Sequence, residues 1–179
     1  MDELELIRGQ LASERRHAAA VADAAAAVLA APAGTAAFRE ESVDYLVCVL
    51  AWFEERDRRL AQLAHGRPGA DAARGALEAA LARPGRSREA LEKLEAALAA
   101  GGPASWQEFA RFFHGPWSAR RDALDALLAA HARVADWRAF AGIDADGVLE
   151  ERARYARVRA SAPAGVALAA ATDEVPPAP

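Results

Sequence analysis

Glu14-Arg15-Arg16-His17 sets an acid and an imidazole three residues apart. On a helix that spacing puts both side chains on one face, and in helical bundles Glu-x-x-His is a pattern that supplies metal ligands. Arginines stand in two further places where packing asks for a hydrophobe. Arg56 interrupts the seam Tyr45, Val49, Trp52, Leu60, Leu63, and Arg120 or Arg121 interrupts the seam that runs from Trp117 through Leu124 and Leu127 or Leu128 to His131. An unpaired buried charge costs several kcal/mol. Such groups must therefore meet one another or a ligand. The expected arrangement is a central polar cluster in which Glu14 bridges to Arg56 and to one of the two later arginines. A ligand site drawn from the same residues would let Arg56, Arg120 or Arg121 and His17 receive a small anionic or aromatic molecule between Trp52 and Trp117, through stacking and charge-assisted hydrogen bonds.

Other chemistry-bearing residues point to less. His65 and His114 fall at helix ends, and His131 continues an inner seam; none has a histidine partner four residues away. Asp144-Ala145-Asp146-Gly147 resembles the start of a calcium loop, but its glycine comes two positions early and the spaced ligands after it are missing, so helix capping by Asp144 is the expected role. Cys48 is the single cysteine and lies in an apolar run, which excludes an intramolecular disulfide and a CxxC site and predicts a buried structural thiol. A glycine-rich phosphate loop, a GxSxG elbow and a Cys/His nucleophile pair are absent from the sequence. No catalytic residue is assigned.

The elements that must position these side chains are helices. Alanine, leucine, arginine and glutamate dominate the 179 residues, and Pro/Gly clusters punctuate periodic segments, a composition that predicts an all-α protein. Leu4, Ile7, Leu11, Glu14, Ala18, Val21, Ala25 and Val28 alternate by three and four over a first helix at 2–31. Residues 36–64 carry the central helix, whose apolar run from Val43 to Phe53 is too short to span a bilayer. A weaker helix follows at 70–83, and Ser87 is placed to cap a helix over 88–100 with Leu91, Leu94 and Leu98 inward. Ser105-Trp106-Gln107-Glu108 reads as a capping box for an aromatic helix over 105–131, which Pro116 kinks or restarts. A short turn around 136–140 leads to a last helix ending near Ala160, with Val148, Leu149 and Tyr155 facing in. The expectation is an up-down four-helix bundle made by 2–31, 36–64, 88–100 and 105–131. The other helices pack outside it, in one domain at 1–160 with a flexible Ala/Pro-rich tail at 161–179. A net charge of −4 gives no uniform basic field and argues against nucleic acid. No membrane partner is expected, and the acidic N-terminus lacks a signal peptide, which places the chain in the cytoplasm. Apolar surface on the outer helices would suit a homodimer or a protein partner.

The layout resembles the hemerythrin-like (HHE) bundle family: Glu-x-x-His on the first helix, an apolar run followed by a ligand pair on the second, and a similar pair on the fourth. Here the second and fourth helices instead read Trp52-Phe53-Glu54-Glu55-Arg56-Asp57 and Trp117-Ser118-Ala119-Arg120-Arg121-Asp122. The resemblance, over about residues 5–140, implies that Trp52 and Trp117 stand where the family's histidines would be, and Arg56 and Arg121 where its second ligands would be. It implies a bundle that has lost its diiron ligands, because two arginines facing one interior would repel a cation pair. No cofactor is expected. The function expected on this reading is a non-catalytic interaction or accessory protein; small-ligand binding is the first alternative, and iron or oxygen binding, with Asp57 or Asp122 adding carboxylates, the second.

Overall fold

A computed structural model of the chain describes residues 2–28, 35–65, 86–100, 102–131, 134–143 and 145–168, the side chains of 61, 63–65, 86, 127–128 and 130–131 excepted. Every regular element among them is helical, and the protein is all-α. The helices are α1 (Glu3–Val28), α2 (Ala36–His65), α3 (Arg86–Ala100), α4 (Pro103–Phe112), α5 (Ser118–His131), α6 (Val134–Ala141) and α7 (Ala145–Ser161), with a π-helical turn at Phe113–Trp117 joining α4 to α5. The helix expected at 70–83 and the cap expected at Asp144 lie outside the described residues.

Each of the first three helices packs on the next, and α4 returns to α1. The pairing of α1 with α4 follows from side-chain size. α1 offers the small face Ala18, Val21, Ala22 and Ala25, and α4 answers with Trp106, Phe109 and Phe112, so a shallow helix surface meets a bulky one at close range. Phe38, Tyr45, Leu46, Val49, Leu50 and Phe53 of α2 fill the centre. A smaller cluster closes one end, where Trp137, Phe140 and Ala141 of α6 meet Leu11, Leu60 and Leu124.

Local signals were partly misread by the expectations above. α4 begins at Pro103, with Gly102 before it in an extended conformation and no side-chain cap; proline's fixed φ suits the first helical position, so the helix starts two residues before the supposed capping box. α3 already includes Ser87, which is fully buried and bonds laterally instead of capping. Pro116 does not restart the helix through a break: it lies inside a π-helical turn, and the helical run continues from α4 into α5. α7 is no outer helix, since it packs along α2 and inserts Glu151, Tyr155 and Val158 into the core. Leu149 points out, 62% exposed. After α7, within the segment expected to be a free tail, Ala162, Val166 and Leu168 pack against the main core. Exposed Leu6, Val47, Val134 and Leu149 lie on four different helices. Among the described residues no helix is long and apolar enough to cross a membrane.

Candidate functional site

Three buried polar groupings sit at the helix contacts. In the first, Arg56 Nη1 donates to Glu14 Oε2 at 2.5 Å, Arg56 Nε donates to the Ala141 carbonyl at 2.9 Å, and Gln10 Nε2 donates to Glu14 Oε1 at 3.2 Å. Glu14 is 2% and Arg56 6% exposed. Ala141 ends α6, so the guanidinium both neutralises an acid and satisfies a carbonyl that the helix leaves without a partner. One arginine thereby ties α2 to α1 and α6, as the seam pattern predicts for Glu14 and Arg56.

The second grouping was not foreseen as a unit. Arg121, not Arg120, is the buried arginine of the pair; it donates to Asp57 Oδ1 and, at 2.9 Å, to Ser87 Oγ. Ser87 Oγ donates in turn to Asp57 Oδ2 at 3.1 Å and accepts from Trp117 Nε1 at 3.2 Å. The Arg121 guanidinium also lies over Trp117 and Phe53, 5.4 and 5.8 Å from the ring centres, while Arg56 stands 5.6 Å from the centre of the same Phe53 ring. Burial pulls the guanidinium's pKa below its ordinary value, and the Asp57 charge opposes that pull. The expected bridge from Glu14 to an arginine of the fourth helix is thus replaced by Asp57, the residue after Arg56. Consecutive positions on a helix point about 100° apart, so Asp57 faces α3 and α5 while Arg56 faces α1 and α6.

The third grouping centres on Glu151, 1% exposed. Its Oε1 accepts from the Tyr45 hydroxyl at 2.7 Å and from His17 Nδ1 at 2.8 Å, and the His17 ring stacks on Tyr155 with centroids 4.0 Å apart. His17 therefore turns to α7, and Glu14 turns to α2. The two members of the Glu-x-x-His motif do not converge on one point. Among the described residues no group of three or more His, Cys, Asp or Glu side chains could hold a metal ion. The donor set does not fit a diiron centre.

Trp52 and Trp117 do not face a common hollow. Trp117 is buried, stacked on Phe113 at 4.3 Å and tilted against Phe53. Trp52 is half-buried and lines a cleft of about 340 Å³ beside the turn from α6 to α7, with Arg56 and Glu14 at its inner side. Gly142 helps shape this cleft: its φ of +53° closes α6, and a Cβ there would come within 1.3 Å of Arg59 Nη1. Arg120 is half-buried. His114 Nε2 contacts Asp23 Oδ1 at 2.7 Å on the surface, and Cys48 is half-buried, with burial pushing its thiol pKa up. The side chains of His65 and His131 lie outside the described set.

Compared with family models, curated proteins and solved structures, the chain matches none of them. Its site is read from its own geometry.

Burial, the Glu151 charge and the hydrogen bond to it together push the Tyr45 phenol far above the ordinary tyrosine range, and burial pushes Tyr155 in the same direction. Tyr45 therefore serves as a fixed hydrogen-bond donor. The unfolded chain loses phenolic protons above about pH 10 while the folded chain keeps them, so the unfolded state binds fewer protons and stability falls as pH rises. A phenol held neutral throughout that range, as Tyr45 is, contributes a slope of about 1.4 kcal/mol per pH unit. Urea unfolding across alkaline pH is expected to show a slope shallower by that amount in Tyr45→Phe than in wild type. Equal slopes would remove Tyr45 as a buried neutral phenol.

Proposed function

We propose that the chain is a non-catalytic helical accessory or interaction protein whose interior resembles an up-down hemerythrin-like bundle with ion pairs standing where metal ligands would be. The observation that carries this reading is the divergence of Glu14 and His17 onto Arg56 and Glu151. Arg56 and Arg121 hold Glu14 and Asp57 at the two positions where the resemblance would put second ligands. Within these groupings each charged side chain is engaged by another, which suits a structural role better than a catalytic one. The reading places the protein in the cytoplasm, with a protein partner or a second copy as its binding partner.

Elemental analysis of purified protein is expected to find no stoichiometric iron or zinc. Anaerobic loading with ferrous iron followed by air is expected to give no charge-transfer absorption. Stoichiometric iron with such a band would replace this reading with an iron- or oxygen-binding one.

A further inference from the structure

A groove of about 910 Å³ runs between the N-terminal half of α2, the end of α3 and α7. It carries apolar side chains: Val43 and Leu98 are half-buried there, and Val47, one helical turn beyond Val43, is 42% exposed. Three of the charges that line it are engaged with one another or with a neighbour. Arg157 donates to Glu41 at 3.0 Å and to Asp44 at 3.3 Å, and Arg154 donates to the same Asp44 at 2.5 Å. Arg39 and Glu40 also line the groove, and neither makes an ion pair among the described residues. They are adjacent on α2, lie one turn before Val43 and carry opposite charges.

A second copy of the chain answers this face better than a partner of one charge. A partner bearing only acids would satisfy Arg39 and be repelled by Glu40, and a basic one would do the reverse. The same face turned about a two-fold axis meets each charge with its opposite, because a contact from one residue to another is then repeated from the second to the first. We propose that this groove is the contact face of a symmetric homodimer, in which Arg39 of each copy pairs with Glu40 of the other and the two sets of Val43, Val47 and Leu98 cover one another. This deepens the interaction-protein reading by naming the partner, and rests on that reading for the protein having one.

Sedimentation velocity on the full chain at concentrations up to about 1 mM is expected to show a species of twice the chain's mass. Arg39→Glu and Glu40→Arg are each expected to weaken the association about tenfold or more, since either one sets like charges against each other on both sides of the axis. An equimolar mixture of the two single variants is expected to recover the dimer, because every contact in the mixed pair again joins opposite charges. Recovery on mixing also shows that neither substitution unfolds the chain, and Val47→Glu, at an exposed position, is expected to leave a folded monomer. A wild-type chain that stays monomeric overturns the proposal, as does a dimer indifferent to both charge reversals and to Val47→Glu. Weakening in both single variants without recovery in the mixture overturns the reciprocal pairing and the proposal with it. Stoichiometric iron with its absorption band would sink the accessory reading whatever the mass, whereas an iron-free monomer sinks the dimer alone.

Discussion

Glu14→Ala lowers the free energy of unfolding by about 3–5 kcal/mol, the usual cost of stranding one member of a buried ion pair. With the carboxylate gone, Arg56 keeps, among the described residues, its bond to the Ala141 carbonyl and its contact with the Phe53 ring, and its charge lies 6% exposed at a helix contact. The companion variant Glu14→Leu/Arg56→Met removes both charges together, and most of the loss is recovered, because apolar side chains of similar size replace a buried pair at little cost. Equilibrium denaturation in urea measures both. A Glu14→Ala loss below about 1 kcal/mol would show that solvent screens the pair.

Arg121→Ala is expected to cost a similar amount, about 3–5 kcal/mol, for a partly different reason. Here the stranded group is the Asp57 carboxylate, left among the described residues with the Ser87 hydroxyl. The substitution also removes a flat cation from the faces of Trp117 and Phe53. Arg121→Lys separates the two contributions. A lysine keeps a charge near Asp57 but lacks the planar fork that reaches both Asp57 and Ser87 and lies over the rings, so it is expected to restore less than half of the loss. Full restoration by lysine would reduce Arg121 to a point charge. A loss below about 1 kcal/mol for Arg121→Ala would contradict its burial.

The all-α class and the Glu14–Arg56 pair were legible in the sequence because both express a helical period: a charge in an otherwise apolar three-four alternation has one direction to point. Asp57 was hidden by the same logic. It lies one residue off the seam, in a run of charges that reads as solvated, and its partners Ser87 and Arg121 come from helices distant in sequence. The choice between Arg120 and Arg121 depended on the π-helical turn, since a wider turn shifts the phase of every residue after it. Glu151 was lost in the charged stretch Glu150-Glu151-Arg152. The available clue was the spacing of Val148, Glu151, Tyr155 and Val158, which alternates by three and four; reading Leu149 as an inward residue obscured it. Ser87 looked like a cap because a serine after Pro-Gly usually is one, and nothing local announced that it would meet a tryptophan and an arginine instead.

The adjacency of Arg56 and Asp57 has a mechanical result. A helix that slides one residue along its neighbours must also rotate by about 100° and advance about 1.5 Å, which would swing the arginine off Glu14 and the aspartate off Arg121 in the same movement. α2 is in that sense a bolt turned home between two plates: it has no half-engaged register in which one side holds while the other lets go. Loosening the contact on one side of α2 therefore strains the contact on its other side at once, and the two are expected to come apart as one.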